Sequence, residues 1–163
     1  MNSVKNEIYF EFDAVSENES LARVVIAAFL TRLDPTVEQV EDVKTAVSEA
    51  VTNAIIHGYK EKGGKVVMQA SISGGGVLEV HICDTGVGIA DIKQAMQPLF
   101  TTDADRERSG MGFSFMESFM DKVSVESKLG EGTKVHMWKV FDDCAAETQP
   151  LLQAAVWNSD GRL

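Results

Sequence analysis

Three polar side chains stand four residues apart in the segment 37–57. If this segment is helical, Glu49, Asn53 and His57 lie along one stripe, because residues four apart occupy the same side of a helix. The carboxylate can act as a base, the amide oxygen is a hard ligand suited to Mg²⁺, and the imidazole can form hydrogen bonds. The stripe therefore predicts either a site for chemistry or the ordinary solvated face of a helix.

A carboxylate and two glycines come directly after a predicted strand at 78–82. Asp84 stands where this strand ends, which is a good position for a pocket residue. Gly86 and Gly88 allow the backbone to bend tightly or to approach a ligand closely. A binding loop and a plain glycine-rich turn both fit this pattern.

A long polar segment, 95–109, precedes the third candidate. It has no hydrophobic periodicity, and a loop of this length usually has a function. Gly110 and Gly112 then open a predicted helix that continues to residue 121. Because backbone N–H groups at a helix N-terminus can cradle phosphate, this junction is a candidate phosphate site.

The helix that carries the polar stripe must also cover a sheet. Thr36 and Gln39 form a capping-box pattern at its start, and Gly58 is the expected stop. Its apolar residues recur at intervals of three and four, which predicts one buried face. They are Val37, Val40, Val43, Val47, Ala50, Val51, Ala54 and Ile55.

An earlier helix is predicted from a second capping-box pattern, Ser16 with Glu19, to about residue 33. Arg23 lies four residues after Glu19, so it is either the partner of a surface ion pair or a contact for another protein. The predicted core face of this helix consists of Leu21, Val24, Val25, Ala28 and Phe29.

Alternating apolar residues predict the strands. They occur at 8–12, 66–72, 78–82, 123–125 and 135–140, with glycine turns at 74–76 and 130–133. The second and third of these strands form a hairpin across the first glycine turn.

Length and composition indicate one globular domain at 1–141 and a loosely ordered tail at 142–163, with at most a short helix at 150–157. The net charge of -10 disfavours direct binding to nucleic acid. Cys83 and Cys144 form no CxxC pair and have no histidines clustered around them in the sequence, so neither structural zinc nor a disulfide scaffold is expected. The apolar run 24–30 is too short to span a membrane and no signal peptide is recognisable, which predicts a soluble cytoplasmic protein.

The glycine and carboxylate motifs occur together with a fourth turn, Gly130-x-Gly132-Thr133. In this order and at these distances they resemble the GHKL superfamily, the ATP-binding fold of type II DNA topoisomerases, a heat-shock chaperone, MutL proteins and histidine kinases. The resemblance runs from about 6 to 141. It implies an α/β two-layer sandwich with a mixed, largely antiparallel sheet and helices on one face.

Within that superfamily, residues 48–59, 98–102 and 107–113 resemble the sporulation anti-sigma factors of endospore-forming bacteria. The resemblance implies that Glu49 is the general base, that Asn53 binds Mg²⁺ and phosphates, and that Asp84 accepts a hydrogen bond from adenine. Arg108 would reach the γ-phosphate, unless it is only a solvated charge. The other nucleotide-binding positions that it implies are His57, Gly86, Gly88, Thr101, Gly110, Gly112 and Thr133.

The activity that this resemblance implies is double. Such a protein holds a sporulation sigma factor away from RNA polymerase, and it is also an ATP-dependent serine kinase that phosphorylates an anti-anti-sigma factor, with ATP favouring one partner and ADP the other. A homodimer is implied as well, for which 9–29 is a plausible surface. Arg23 resembles the partner-binding position.

Three alternatives stay open from the sequence. A histidine-kinase catalytic domain shares the motifs but would follow a phosphoacceptor hairpin, for which there is no room before Glu49. A pure binding module would use nucleotide without transferring phosphate, although it would not need a base beside the triphosphate. The anti-sigma factor of the general stress response would share the fold and the kinase role.

Overall fold

Five strands form the one sheet of the computed structural model, which describes residues 5–97 and 111–141. The strands are β1 Asn6–Asp13, β2 Lys65–Ile72, β3 Val77–Asp84, β4 Lys122–Lys128 and β5 Gly132–Val140. Their order across the sheet is β1-β2-β3-β5-β4, and each neighbouring pair is antiparallel. The α/β sandwich is therefore confirmed, while the described strands include no parallel pair of the kind that a mixed sheet would have.

Four helices accompany the sheet in the described part of the chain: α1 Glu17–Leu30, α2 Val37–Asn53, α3 Ile92–Ala95 and α4 Gly112–Phe119. The middle helix α2 packs against both α1 and α4. Alternate strand residues are buried beneath these helices, as the period of two predicts. The buried apolar residues of β2 and β3 are Val66, Met68, Ala70, Ile72, Val77, Leu78, Val80 and Ile82.

The α2 helix starts as predicted. Thr36 accepts a hydrogen bond from the Gln39 backbone N–H at 3.2 Å, and the Gln39 side chain accepts one from Thr36 N–H at 2.9 Å. Its predicted buried face is correct from Val43 to Ile55, whereas Val37 in the first turn is exposed.

The helical segment ends at Gly58 as predicted, but the form of this end differs from the prediction. The helix continues as a π-helical turn, Ala54–Gly58, and the left-handed residues that reverse the chain are Lys60 and Glu61. Gly58 is therefore not a C-cap glycine with a positive φ. Its backbone instead lies close to the end of β3, since a Cβ at this position would lie 2.9 Å from Asp84 Oδ1.

The predicted details of α1 are partly wrong. The Ser16 side chain makes no cap hydrogen bond, and the Glu19 carboxylate accepts one from Ser48 Oγ on α2 instead. The helix ends at Leu30 and is followed by a 3₁₀ turn, Thr31–Leu33. Its buried face consists of Ala22, Ile26, Phe29 and Leu30.

Three of the residues predicted for the α1 core, Leu21, Val24 and Ala28, are exposed. The reason is that α1 is apolar on more than one side, so periodicity alone could not select the side that faces the sheet. In the described ranges no helix has both the length and the apolar character needed to cross a membrane. The predicted tail at 142–163 and its short helix lie outside the described residues.

Candidate functional site

A cavity of about 440 Å³ opens where the end of α2, the end of β3, the start of β5 and the start of α4 meet. A cavity of this size suits a small-molecule ligand, because such sites typically measure about 300–1,000 Å³. Six of the predicted site residues line it: Asn53, His57, Asp84, Gly88, Gly112 and Thr133. Four segments that are far apart in the sequence thus meet at one place.

Asp84 lies on the floor of this cavity, with only 9% of its surface exposed. Its Oδ1 accepts a hydrogen bond of 2.9 Å from the Gly86 backbone N–H. Burial raises the pKa of the Asp84 carboxyl, and backbone hydrogen bonds from Gly86 and Thr133 oppose that rise. A buried carboxylate with free acceptor capacity is suited to a ligand that brings a hydrogen-bond donor.

The glycines after Asp84 shape the loop more than they approach a ligand. A side chain at Gly86 would overlap the carbonyl group of Gly58, and the next residue, Val87, donates its N–H to that carbonyl oxygen at 2.8 Å. Gly88 has a φ of +74° and lies against the backbone of Lys128. The loop is therefore fixed between the end of α2 and the end of β4, where it forms one wall of the cavity.

The polar stripe of α2 faces the start of α4. A Cβ on Gly112 would lie 3.0 Å from Oε2 of Glu49 and 3.4 Å from both the amide oxygen and the amide nitrogen of Asn53. The glycine thus leaves space above a carboxylate and an amide. An amide oxygen and a carboxylate beside such a space are hard donors that fit Mg²⁺ with part of its water shell.

Ser127 is a residue that the sequence prediction missed. Its hydroxyl accepts a hydrogen bond of 2.8 Å from Ile89 N–H, donates to Gly132 O at 2.8 Å, and lies 2.9 Å from Thr133 Oγ1. Gly132, with a φ of +99°, brings β5 close to the backbone of Asp84. These contacts hold Thr133 beside the carboxylate, and no sequence motif marks the serine that makes them.

The sequence prediction also missed the apolar walls of the cavity. They include Ala50, Ala54, Ile82, Val87, Ile89, Phe113, Leu129 and Val135. Most of these residues follow the same periodicity as the core, so the pattern does not distinguish them. Asp91 could have been found, because an aspartate before a short helix is a typical N-cap, and its Oδ1 accepts from Gln94 N–H at 2.9 Å.

Six predicted residues are not among the described residues that line the cavity. Glu49 and Gly86 lie next to lining residues, Glu49 beside Gly112 and Gly86 after Asp84. Thr101, Arg108 and Gly110 lie outside the described residues, as does most of the predicted loop at 95–109. Arg23 is on α1, where its Nη1 lies 3.8 Å from Glu19 Oε1. The ion pair that its spacing predicts is therefore present, and it is half-exposed.

The shape and chemistry of the cavity indicate the kind of ligand that it fits. Apolar side chains line much of the cavity together with the buried Asp84 carboxylate, which suits a flat aromatic base with an amino group. The space bounded by Glu49, Asn53 and the N-terminus of α4 is polar, and a helix N-terminus attracts anions.

Comparison with known proteins identifies related sequences over most of the chain. The family described as Histidine kinase-like ATPase domain matches residues 12–139. The anti-sigma F factor of Clostridium acetobutylicum is 55% identical over 138 residues, which is 85% of this chain and 96% of the relative. That of Geobacillus stearothermophilus is 51% identical over 145 residues, which is 89% of this chain and 98% of the relative.

Solved structures share the fold at low sequence identity. The RsbU and RsbW domains of a Mycobacterium tuberculosis protein match with a TM-score of 0.60 at 17% identity, over 83% of this chain and 32% of that one. Full-length ShkA in complex with AMPPNP matches with a TM-score of 0.53 at 20% identity, over 76% of this chain and 30% of that one. The catalytic domain of the histidine kinase ThkA has a TM-score of 0.51 at 17% identity, over 82% of this chain and 96% of that domain.

Proposed function

The chain belongs to the histidine kinase-like ATPase domain family and, within it, to the anti-sigma F factors, and from this membership we propose that it binds a sporulation sigma factor and phosphorylates a serine of an anti-anti-sigma factor. ATP is the ligand that membership of an ATPase family implies for the cavity. The proposed partners act on transcription, which would place the chain in the cytoplasm.

One observation carries the proposal of phosphoryl transfer. Asp84 is a buried acceptor that lines the cavity, and the Glu49 carboxylate lies beside Gly112, which lines the cavity at the start of α4. A module that only binds nucleotide has no use for a carboxylate next to a triphosphate, because like charges repel. A kinase has a use for it, since a serine hydroxyl must lose its proton when it attacks phosphorus.

The roles of the residues follow from their positions. Asn53 and Glu49 lie beside Gly112 at the start of α4, where a triphosphate and its metal would fit, and Asn53 would supply the amide oxygen for Mg²⁺. A bound Mg²⁺ would offset the negative charge that develops on the phosphates. Glu49 would accept the serine proton while the new O–P bond forms at the γ-phosphorus, and the bond to the β-phosphate oxygen breaks to release ADP.

Positions 101, 108 and 110 remain part of the proposal from the sequence. Gly110 would add backbone N–H groups to the phosphate site, Thr101 would contact the nucleotide, and Arg108 would reach the γ-phosphate. Glu49, Asn53 and Gly112, which lie in the described part, support a phosphate site at this end of the cavity.

The proposal is tested by incubating the full chain with Mg²⁺–ATP and a candidate anti-anti-sigma protein, followed by intact-mass measurement of that substrate. A single added phosphate is expected, and it should be absent with ADP or when Mg²⁺ is chelated. A substrate whose mass stays unchanged, with ATP binding and sigma binding both intact, would favour the module that binds nucleotide without transfer. Phosphorylation of a general-stress substrate instead would favour the stress-response alternative.

A homodimer is a further part of the proposal. Tyr9, Leu21 and Val24 are exposed large apolar residues on β1 and α1, within the surface 9–29 that the resemblance suggests. Sedimentation at micromolar concentration should give the mass of two chains, and a Val24→Asp variant should reduce it to one. A wild-type protein that sediments as a monomer would contradict the homodimer, but not the proposed kinase activity or sigma binding.

A further inference from the structure

Two histidines and a glutamate meet on the face of the sheet opposite the helices. His81 on β3 is paired directly with His136 on β5, and Glu79 precedes His81 by two residues on the same face. One possible ligand atom from each of these three side chains lies within 4.8 Å of the other two. Spacing in the sequence does not reveal this cluster, because His81 and His136 are 55 positions apart and are joined only by strand register.

Two nitrogen atoms of this cluster are buried without a hydrogen-bond partner in the described part of the chain. They are Nδ1 of His81 and Nε2 of His136. Nε2 of His136 lies 3.5 Å from Oε2 of Glu79. Buried side-chain polar atoms in proteins are nearly always satisfied, so an unsatisfied pair at one place points to a missing ligand.

Aromatic contacts fix the two rings in place. The imidazoles of His81 and His136 are stacked with centroids 3.6 Å apart, and the Trp138 ring lies 3.3 Å from that of His136. Nζ of Lys122 lies over the Trp138 ring, 4.8 Å from its centroid. Rigid side chains lose little conformational freedom when they bind an ion, which favours affinity.

We propose that Glu79, His81 and His136 form a binding site for a divalent first-row transition metal, with Zn²⁺ as the best match. Two imidazoles and one carboxylate are a ligand set that binds zinc in proteins and leaves a fourth position open. Bonds of about 2.0–2.2 Å place tetrahedral ligands about 3.4 Å apart, so the three ligand atoms, which lie within 4.8 Å of one another, must approach by up to about 1.4 Å through small movements of the packed side chains.

The fourth position would face a groove of about 290 Å³ between β1, β2 and β3. Lys5, Glu7, Gln69 and Ser71 are among the polar residues that line it. Water, or a carboxylate from another molecule, could take that position. The site is separate from the cavity, because His81 points away from its neighbours Val80 and Ile82, which belong to the buried face.

Titration of the nucleotide-free full chain with Zn²⁺ tests this proposal, with excess Mg²⁺ present to occupy hard oxygen sites. One equivalent should bind per chain, and Co²⁺ should give the visible absorption of a four-coordinate ion. His136→Gln and Glu79→Gln should each weaken Zn²⁺ by more than the about 10–100-fold that loss of an outer-shell partner costs. Zn²⁺ should also raise the melting temperature of the wild type but not of these variants.

Two matched variants serve as controls. Glu126→Gln removes a carboxylate from the same face of the sheet, where Glu126 is paired with Lys134, and His57→Gln removes the histidine of the cavity. Both should retain one equivalent of Zn²⁺. Melting without metal shows which variants fold. If His136→Gln does not fold, Glu79→Gln is the decisive variant, because the Glu79 side chain is partly exposed.

The proposal is overturned if the wild type binds no Zn²⁺. It is also overturned if Glu79→Gln and His136→Gln bind Zn²⁺ as tightly as Glu126→Gln does, because the ion would then be held elsewhere. The two stacked imidazoles and the Glu79 carboxylate would in either case only pack on the outer face of the sheet.

Discussion

Asp84 is the charged residue that the described part of the chain buries most deeply, and burying a carboxylate is costly unless it has hydrogen-bond partners. Two backbone N–H groups satisfy it only in part, which leaves acceptor capacity toward the cavity. This combination makes Asp84 the residue on which recognition of the adenine base should depend.

Replacement of Asp84 by asparagine tests that dependence. The Asp84→Asn variant keeps the size of the side chain but removes the charged acceptor, so ATP should bind more weakly by about 1.5–3 kcal/mol. Calorimetry measures the affinity. Asp91→Asn is the matched control, because Asp91 also lines the cavity and asparagine is an equally good N-cap, so its effect should be smaller. Unchanged ATP affinity in a folded Asp84→Asn protein would remove Asp84 from the base site.

The same substitution should change stability in a pH-dependent way. Burial raises the pKa of Asp84 in the folded protein above its ordinary value of 3.8. Its contribution to stability is therefore full below pH 3.8 and is lost as the pH rises through the raised value. Without nucleotide, the free energy of unfolding of Asp84→Asn should increase relative to the wild type between about pH 3 and pH 7. Urea denaturation measures it, and a relative decrease over this range would contradict the assigned cause.

At the scale of elements, the start of α4 lies against the polar stripe of α2. Gly112→Ala adds a methyl group 3.0 Å from Glu49 Oε2 and 3.4 Å from the Asn53 amide. Loss of a contact to a charged phosphate costs about 1.5–3 kcal/mol, so ATP affinity should fall about tenfold or more.

Adenosine is the internal control for Gly112→Ala, because it has the base but no phosphates and its affinity should be unchanged. The stability of this variant should be close to that of the wild type, since alanine is the better helix former. If ATP and adenosine are weakened equally, the methyl group distorts the whole cavity and the start of α4 is not a phosphate site.

The outer face of α1 gives a prediction about partners. Arg23 is half-exposed between the exposed residues Leu21 and Val24, and its ion pair with Glu19 is worth only about 0.3–0.5 kcal/mol. Arg23→Ala should therefore leave the free energy of unfolding nearly unchanged while it disrupts binding of the sigma factor or the anti-anti-sigma factor. A pull-down measures both interactions. Retention of both partners would mean that Arg23 serves only its ion pair.

The elements show what a sequence pattern can predict. Every strand was found from its alternation, because each lies with one face against the core, and α2 was found because it has a single apolar side and a complete capping box. The predicted core face of α1 was only partly right because its sequence is apolar on two sides: Phe29 is buried, whereas Leu21 and Val24 are exposed. Exposed apolar residues on a helix break the rule that apolar residues are buried, so periodicity alone misassigns them.

The candidate site was predictable where a residue type is unusual for its position at the end of a strand or the start of a helix. Asp84 at a strand end and Gly112 at a helix start were found for this reason. Ile82 and Val135 were missed, since the walls of the cavity follow the same alternation as the core. The pairing of His81 with His136 depends on register between β3 and β5, which spacing along the chain does not contain.

For the molecule as a whole, β3 and β5 connect the two sites. Their ends carry Asp84 and Thr133 into the cavity, and their outer faces carry His81 and His136. A metal that binds the outer face would thus join the same two strands that hold the floor of the cavity. The net charge of -10 adds a long-range preference for basic partner surfaces.

The two proposed activities should be separable through Glu49. Glu49→Gln keeps the size and helix preference of the side chain but removes its basicity, so Mg²⁺–ATP should still bind. Positioned bases speed proton transfer by about 10²–10⁴-fold, and phosphorylation of the anti-anti-sigma factor should fall by that factor. Binding of the sigma factor needs no proton acceptor and should survive.

A single-turnover assay with saturating ATP measures the chemical step, and sigma binding is measured on the same preparation. Asn53→Asp is the contrasting variant, because it keeps an oxygen ligand for Mg²⁺ but adds a negative charge beside the phosphates, so it should weaken ATP itself. If Glu49→Gln transfers phosphate within a few fold of the wild type, Glu49 is not the base and transfer depends on positioning and charge alone. If it loses sigma binding together with phosphorylation, Glu49 instead supports the nucleotide-bound conformation that both activities require.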